Sequence, residues 1–493
     1  MQWEAGSGLL AMNFQRRGGE PLYRQLYGEL RDMILDGRLS AATRLPANRA
    51  LAADLSLSRN TVATAMQQLL AEGYVETRHG DGTYVATELP DAGPSEAPPI
   101  PTGDDVARHY GLSRRGRALA AIGRGNTDPD RAFVPGPDLS HFPFDVWGRL
   151  LARFWRRPGS ELAACRDAGG YPPLRAAIAG YLGAVRGVRC SAEQVVVVSG
   201  AQQAIHLAAQ VLLDHGDQAL VEEPGYAGVR GALTSAGLRI GHAPVDDEGL
   251  MIHEGEARAP LARMVCVAPS HQHPLGVVMS LRRRLDLIEW ARRRRAWILE
   301  DDYDSEYRYA GRPLAALQGL DPSGRVIYVG SFSKVLFPSL RLGYLVVPPD
   351  LVEAFLRARR VLDDHTSMLA QPVLAQFIAD GHFAAHVRRM RRLYAARQKA
   401  LLAAAERYLA PFLQVAPDEA GMHLIAWPTE ALSRRLNDVQ AAERAGAADV
   451  TVLPLSTSHA GRATRQGLML GYAAHDEGVI EAAARRLGGA LAA

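Results

Sequence analysis

The sequence predicts an α/β fold preceded by a small winged helix-turn-helix, and three observations carry that expectation. Apolar runs of strand length (Val195–Val198, Ala219–Val221, Met264–Val267, Trp297–Leu299 and Val326–Val329) recur at intervals that leave room for crossover connections. The residues up to Val85 instead carry three helical periods and then two short alternating runs around a glycine-rich turn. Between the two parts the chain becomes rich in Pro, Ala and Gly, which marks a linker.

In the first part, Leu22, Leu26, Leu30, Met33 and Ile34 keep helical spacing from Pro21 to Asp36, and Gly37 is a natural stop. After Arg44-Leu-Pro46 a second helix is expected from Asn48 to Leu55, with Leu51, Ala52 and Leu55 inward. Ser58 is a good N-cap for a third, Arg59 to Glu72, which buries Val62, Ala65, Met66, Leu69 and Leu70 and leaves Arg59, Asn60 and Ala63 exposed. Tyr74–Thr77 and Thr83–Val85 alternate like strands around the turn at 79–82. Three helices and a hairpin make a winged helix-turn-helix, expected over residues 15–88. These residues also resemble the GntR-type DNA-binding domain, at Arg44-Leu-Pro46, Arg49, Ser58-Arg-Asn-Thr-Val62, Glu72-Gly-Tyr74 and Gly80-Asp-Gly-Thr-Tyr84. The resemblance implies that Arg49, Ser58, Arg59, Asn60 and Thr61 contact phosphates and base edges, while His79 and Gly80 at the wing tip reach the minor groove. Acidic and basic residues nearly balance here, so the basic footprint must be local, at Arg44, Arg49, Arg59 and Arg78. An ordinary helical hairpin is the competing reading, and the wing markers argue against it.

The linker is expected over 89–125; within it the basic stretch Arg108 to Arg124 either continues the linker or packs on the larger domain. With 493 residues the chain has room for two or three domains and a large core. A net charge of +3 and the absence of an apolar run of membrane-spanning length point to a soluble protein without a membrane partner. No secretory pattern opens the sequence, and Cys165, Cys190 and Cys266 are odd in number and widely spaced. A cytoplasmic protein with buried thiols, and neither disulfide framework nor zinc knuckle, is expected.

The large domain is expected over 126–493, opening at Val134-Pro-Gly-Pro-Asp138 and Phe142-Pro-Phe144, with helices at Leu150 to Trp155 and Leu174 to Tyr181. The strand Val195–Val198 leads into Ser199-Gly-Ala-Gln-Gln203, which opens a helix whose backbone N–H groups form an anion site. Trp297–Leu299 runs into Glu300-Asp-Asp-Tyr303, and Val326–Val329 into Gly330-Ser-Phe-Ser-Lys334. In open α/β sheets ligands bind at such carboxyl ends. The chain has two lysines, Lys334 and Lys399, among 56 Lys+Arg. A guanidinium stays protonated, whereas a desolvated ε-amine loses its proton and attacks a carbonyl. Lys334 is therefore the Schiff-base candidate, and Lys399, in a helical run, reads as a surface lysine. With Asp301, Tyr303, Ser331 and Arg341 it makes the set that pyridoxal phosphate requires: an amine, a carboxylate, a phenol, a hydroxyl and a guanidinium. His271-Gln-His273 invites a metal reading, but alternating histidines on an irregular loop are poor zinc evidence, and no metal is expected.

Residues from about 126 onward resemble fold-type I pyridoxal-phosphate aminotransferases. The resemblance implies a mixed, mostly parallel sheet with helices on both faces and a small C-terminal α+β subdomain, into which the helical run Ala384 to Tyr408 and the strands His423–Ala426 and Leu468–Gly471 would fall. It implies that Lys334 forms the internal aldimine, Asp301 pairs with the pyridine nitrogen and Tyr303 approaches the ring oxygen. Ser331, Ser333 and Arg341, with Gly200, Ala201 and Gln202, would hold the phosphate. Tyr226 would stack on the ring, with a core tyrosine as the competing reading. His273 stands where ordinary aminotransferases have an Asn bonding the ring oxygen, which weakens the case for unmodified transamination. The Arg that clamps a substrate carboxylate in the family has Arg462 and Arg465 as candidates, each competing with a solvated surface role.

A GntR-type reader joined to an aminotransferase-like domain resembles the MocR/GabR-type regulators, as do the Ser-His-Gln-x-Pro loop and the run Glu300 to Tyr307. That resemblance implies a cytoplasmic bacterial transcription regulator, nucleoid-associated when bound to a double-stranded DNA operator and homodimeric through its large domain. It would sense an amine or amino acid, or pyridoxal phosphate itself, through a Lys334 aldimine. The alternative is a catalytically active aminotransferase with an accessory DNA-binding domain; a third reading makes the large domain a dimer scaffold only.

Overall fold

The computed structural model describes residues 20–78, 80–90, 111–122, 131–164, 167–311 and 315–493. They fall into two compact units, one N-terminal to residue 111 and one from Gly111 onward. His79, Cys165, most of the 89–125 linker and the expected domain start at 126 lie outside the described residues.

The N-terminal unit consists of α1 (Leu22–Leu35), α2 (Asn48–Asp54), α3 (Arg59–Ala71) and the hairpin β1 (Val75–Arg78) and β2 (Gly82–Val85), paired antiparallel from Val75↔Val85 to Arg78↔Gly82. Leu26 and Leu30 of α1, Leu51 of α2, Val62, Ala65 and Leu69 of α3, and Val75 and Val85 of the hairpin form one buried cluster. Leu70, expected inward, is exposed: it falls one step past the buried stripe defined by Val62, Ala65, Met66 and Leu69. Ser58 caps α3 by accepting from the Thr61 backbone N–H at 3.1 Å.

The larger unit begins with α4 (Arg114–Ile122), and a Cβ added to Gly231 would lie 3.8 Å from the side chain of Ile122. This part of the basic stretch therefore packs on the larger unit. Then follow α5 (Phe144–Trp155), α6 (Pro172–Arg186), α7 (Ala201–Leu212), α8 (Ala227–Ser235), α9 (Leu281–Arg294), α10 (His382–Tyr408) and α11 (Glu477–Ala492). The main sheet contains β3 (Val195–Val198), β4 (Gln218–Glu223), β5 (Arg239–Asp246), β6 (Gly249–Leu250), β7 (Ala262–Val267), β8 (Trp297–Asp302), β9 (Val326–Ser331) and β10 (Gly343–Val346), in the order β3-β10-β9-β8-β7-β4-β5-β6. β5, β4, β7, β8 and β9 run parallel; β10 is antiparallel to both β3 and β9. Successive side chains of a strand face opposite layers. Val196 and Val198 join one core cluster with Ile205 and Ala208 of α7, while Val195 and Val197 join another with Leu174, Ile178 and Leu182 of α6. Burial on both faces explains why these strands read as continuous apolar runs.

β8 extends beyond its apolar run: Glu300, Asp301 and Asp302 stay in the ladder opposite Tyr328, Val329 and Gly330 of β9. Backbone pairing does not require an apolar side chain, so the run ended before the strand did. A four-stranded antiparallel sheet completes the unit, β11 (Leu413–Val415), β12 (His423–Pro428), β13 (Leu453–Pro454) and β14 (Leu468–Gly471), in the order β11-β12-β14-β13. No helix of the described residues is long and apolar enough to cross a membrane.

Candidate functional site

β4, β7, β8 and β9 are parallel, so their carboxyl ends share one edge of the sheet, and a cavity enclosing about 210 Å³ opens there. Lys334, Asp301, Tyr303, Ser331, Ser333, Arg341, Ala201, Gln202, Tyr226 and His273 all line it. Gly200 lies beside it, where a Cβ would sit 3.4 Å from the Arg341 guanidinium. Its φ of 103° belongs to the region that favours glycine, and this conformation lets β3 turn directly into α7. The first backbone N–H groups of α7 are thus presented beside Arg341, Ser331 and Ser333. Ser333 Oγ is buried and makes no hydrogen bond among the described residues. Helix N-terminus, hydroxyls and guanidinium together suit a phosphate dianion.

The floor of the cavity carries acid. Glu222 and Asp301 each lie one residue before the end of their strands, β4 and β8, with β7 and its Cys266 between them. Burial pushes the Asp301 carboxyl up to about 7, helped by the nearby charges of Asp302 and Asp304. Burial likewise raises Glu222 to about 8, against hydrogen bonds from the Ala268 N–H and Gln272. Asp301 Oδ1 is buried without a hydrogen-bond partner among the described residues. A buried, unsatisfied carboxylate oxygen is costly, and a protonated ring nitrogen would satisfy it. The Lys334 amine is pushed below the usual lysine range by burial, which the Asp304 charge opposes in part. The residues present therefore fit pyridoxal phosphate at both its polar ends.

Two histidines on the segment between β7 and α9 have different surroundings. The His273 ring stands edge-on to Tyr226 at 5.6 Å between centroids. His271 is buried away from the cavity lining, with Nδ1 2.8 Å from Asp304 Oδ2 and 3.0 Å from Tyr303 Oη, and Nε2 3.4 Å from Asp418 Oδ2. The Asp304 and Asp418 carboxylates lift it to about 10 despite burial. His423 of β12 does line the cavity, and burial lowers it to about 4, so it is a neutral imidazole. Sequence reasoning missed Glu222 and His423 as site residues and weighed His271 only as a metal ligand. The Ser-His-Gln motif was the available signal for His271, but its partners are supplied by the fold.

Arg462 and Arg465 are not brought to this cavity. Arg462 is exposed, and the Arg465 guanidinium stacks on Trp427, 4.4 Å from the ring centroid, beside a separate surface depression. On the N-terminal unit Arg44, Arg49, Ser58, Arg59, Asn60 and Gly80 are exposed, and Arg49 and Arg59 border one shallow depression. Thr61 is half-buried, its backbone N–H and hydroxyl both engaged with Ser58.

With this geometry in place, comparison with known proteins is informative for both units. Residues 137–487 match the family Aminotransferase class I and II, and residues 22–85 match Bacterial regulatory proteins, gntR family. The chain is 47% identical over 460 residues to the probable rhizopine catabolism regulatory protein MocR of Rhizobium meliloti, an alignment covering 92% of this chain and 91% of that one. It is 29% identical over 457 residues to the HTH-type pyridoxine biosynthesis transcriptional regulator PdxR of Corynebacterium glutamicum, covering 92% and 93%. Among solved structures, the α-aminoadipate aminotransferase LysN of Thermus thermophilus, complexed with N-(5'-phosphopyridoxyl)-L-leucine, superposes with a TM-score of 0.66 at 29% identity, covering 77% of this chain and 95% of that one.

Proposed function

The chain belongs to the aminotransferase class I and II family and, within it, to the MocR-type HTH transcriptional regulators, and on that premise we propose that amine exchange at Lys334 controls how the N-terminal unit binds operator DNA. When bound, pyridoxal phosphate supplies an aldehyde carbon that condenses reversibly with primary amines. Lys334 provides the resident amine, and its burial raises the neutral, nucleophilic share. Asp301 accepts from the pyridine nitrogen; its unpartnered Oδ1 is the observation that carries this reading. Ser331, Ser333, Arg341 and the N–H groups of Ala201 and Gln202 hold the phosphate, Gly200 gives them room, and Tyr226 and His273 are available to the ring. Tyr303, which lines the same cavity, would serve the ring oxygen. In the N-terminal unit Arg44, Arg49, Arg59 and Asn60 contact the DNA, with Ser58 and Thr61 setting the start of α3. A homodimer through the larger unit is supported by the exposed apolar side chains Val361, Leu362 and Leu369 on one segment.

The regulator reading is favoured over a working aminotransferase by the near full-length match to a regulator. The test is operator binding by the full chain at saturating cofactor, with and without titrated primary amines, on duplex DNA recovered by selection from random sequence. An effector amine is expected to change the affinity about tenfold or more, the size of an ordinary coupling free energy. A response to cofactor alone would make pyridoxal phosphate the signal. Multiple-turnover amino transfer to a keto acid without any effect on DNA would support the enzyme instead.

Asp301→Asn separates folding from cofactor binding. With its folded value raised to about 7, Asp301 contributes stability below the ordinary carboxylate range that is lost as the pH rises through 7. The melting temperature of the cofactor-free protein is expected to fall from about pH 5 to about pH 8, and to fall less in Asp301→Asn. Cofactor affinity in the variant is expected to drop about tenfold or more, since a charge-assisted hydrogen bond becomes a neutral one. Calorimetric melting and cofactor titration read the two effects separately.

A further inference from the structure

The cofactor reading leaves His271 without a task, although its surroundings are among the most constrained in the larger unit. A Cβ added to Gly421 would lie 2.2 Å from His271 Cε1, and one added to Gly276 would lie 2.4 Å from Asp418 Oδ2. Both glycines have positive φ, 90° and 76°. The chain thus closes on the ring and on its carboxylate partner where no side chain would fit.

The hydrogen-bond roles follow from the partners. An ionised carboxylate only accepts. Asp304 Oδ2 lies 2.8 Å from Nδ1, so Nδ1 carries a hydrogen; Asp418 Oδ2 lies 3.4 Å from Nε2, so Nε2 does as well. Tyr303 Oη, 3.0 Å from the same Nδ1, therefore stands on the accepting side of that N–H. The phenol hydrogen is left to point elsewhere, and Tyr303 lines the cofactor cavity. The groups facing this cluster are Tyr303 and Asp304 after β8, Asp418 and His423 from the C-terminal part, and Lys334, which feels the Asp304 charge.

We infer that His271 is a positioning residue: by sharing its Nδ1–H between Asp304 Oδ2 and Tyr303 Oη, it turns the Tyr303 hydroxyl hydrogen toward the cofactor cavity. Without that N–H nothing holds the Tyr303 hydrogen toward the cavity, and the cofactor's ring oxygen would lose its donor. The inference rests on the cofactor reading above for its optical readout. A donor stabilises negative charge on the ring oxygen and so lowers the pH at which the neighbouring protonated nitrogen gives up its proton, which the visible band reports.

Two substitutions of similar polarity separate positioning from packing. An Asn amide nitrogen reaches the place of imidazole Nδ1, whereas a Gln amide nitrogen reaches that of Nε2. In the cofactor-loaded full chain, Tyr303→Phe is expected to raise the pH midpoint of the visible band by about one unit. His271→Gln is expected to match it, His271→Asn to stay near the unsubstituted protein, and the double variant Tyr303→Phe/His271→Gln to move no further than Tyr303→Phe. Equal behaviour of the Asn and Gln variants, or an unmoved midpoint in His271→Gln, would overturn the inference. A second readout needs neither variant nor cofactor: ring ¹⁵N shifts of the unsubstituted protein are expected to contain one histidine with both nitrogens protonated at about pH 9, where ordinary imidazoles are neutral. If every ring shows a bare nitrogen there, the assignment fails even with the visible band present. If the band is absent while that ring is found, the cofactor reading fails and the donor assignment stands.

Discussion

Replacing Lys334 with Ala is expected to remove the visible band of the cofactor-loaded protein and, with it, every response of DNA binding to an added amine. The reason is chemical. Asp301, Ser331, Ser333 and Arg341 remain to hold the cofactor's ends, so the variant should still bind pyridoxal phosphate, but with its aldehyde carbon unlinked to the chain. An amine would then condense without displacing anything, and displacement is what the proposed mechanism uses to distinguish two states of the larger unit. A ligand shifts an equilibrium only by its differential affinity for the two states. The N-terminal unit has its own buried core from Leu26 to Val85, so its DNA binding without effector is expected to stay within about threefold of the unsubstituted protein. Lys399→Ala is the matched control: it removes the other lysine, exposed on α10, and a surface change of that kind stays within about 0.5 kcal/mol. Unchanged amine-dependent regulation in Lys334→Ala would reduce the larger unit to a dimer scaffold.

The cavity was legible in the sequence because its parts sit where local rules are strong. Buried parallel strands announce themselves as unbroken apolar runs, and the residues just beyond a run fall at a strand end, which is how Asp301, Tyr303, Ser331 and Lys334 were found. The scarcity of lysine did the rest. β5 was not legible because it is only partly buried, with polar residues such as Arg239 and His242 along its length. β10 was hidden because Tyr344–Val346 follows Arg341 so closely that the run read as part of the phosphate motif. The His271 cluster was beyond any local rule: Asp304 is 33 residues away and Asp418 is 147. Arg462 and Arg465 line no part of the cavity, which agrees with the surface role that competed for each. They were placed by analogy near β14, and nothing local reveals that Trp427 of β12 holds the Arg465 guanidinium.

Beneath the cavity lies an ion pair whose loss is expected to cost more stability than any other single change considered. Arg186, at the end of α6, donates from Nε to Asp302 Oδ2 at 2.8 Å and from Nη2 to Ser270 Oγ at 2.6 Å, with both charged side chains almost fully buried. Asp302 also accepts from Tyr328 and from Ser305 Oγ. Burial, and next to it the Asp302 charge, raise the neighbouring Glu300 and Glu306 to about 7, while Arg186 pulls Glu306 back. Arg186→Leu therefore leaves the buried Asp302 and Glu306 carboxyls without the cation that offsets them. Breaking a buried pair by removing one partner costs about 3–5 kcal/mol, and the crowding of acids places this case at the upper end. The double variant Arg186→Leu/Asp302→Leu is expected to be more stable than Arg186→Leu alone, because no uncompensated charge remains. Denaturant melting of the larger unit's transition reads both; a double variant as unstable as the single would mean that hydrogen bonds to Tyr328 and Ser305, rather than charge, dominate. Ser270 ties this pair to function, since it immediately precedes His271. In Arg186→Leu the loop presenting His271 and His273 loses its anchor, so the visible-band midpoint should move upward at temperatures well below the melting transition, in the direction of Tyr303→Phe.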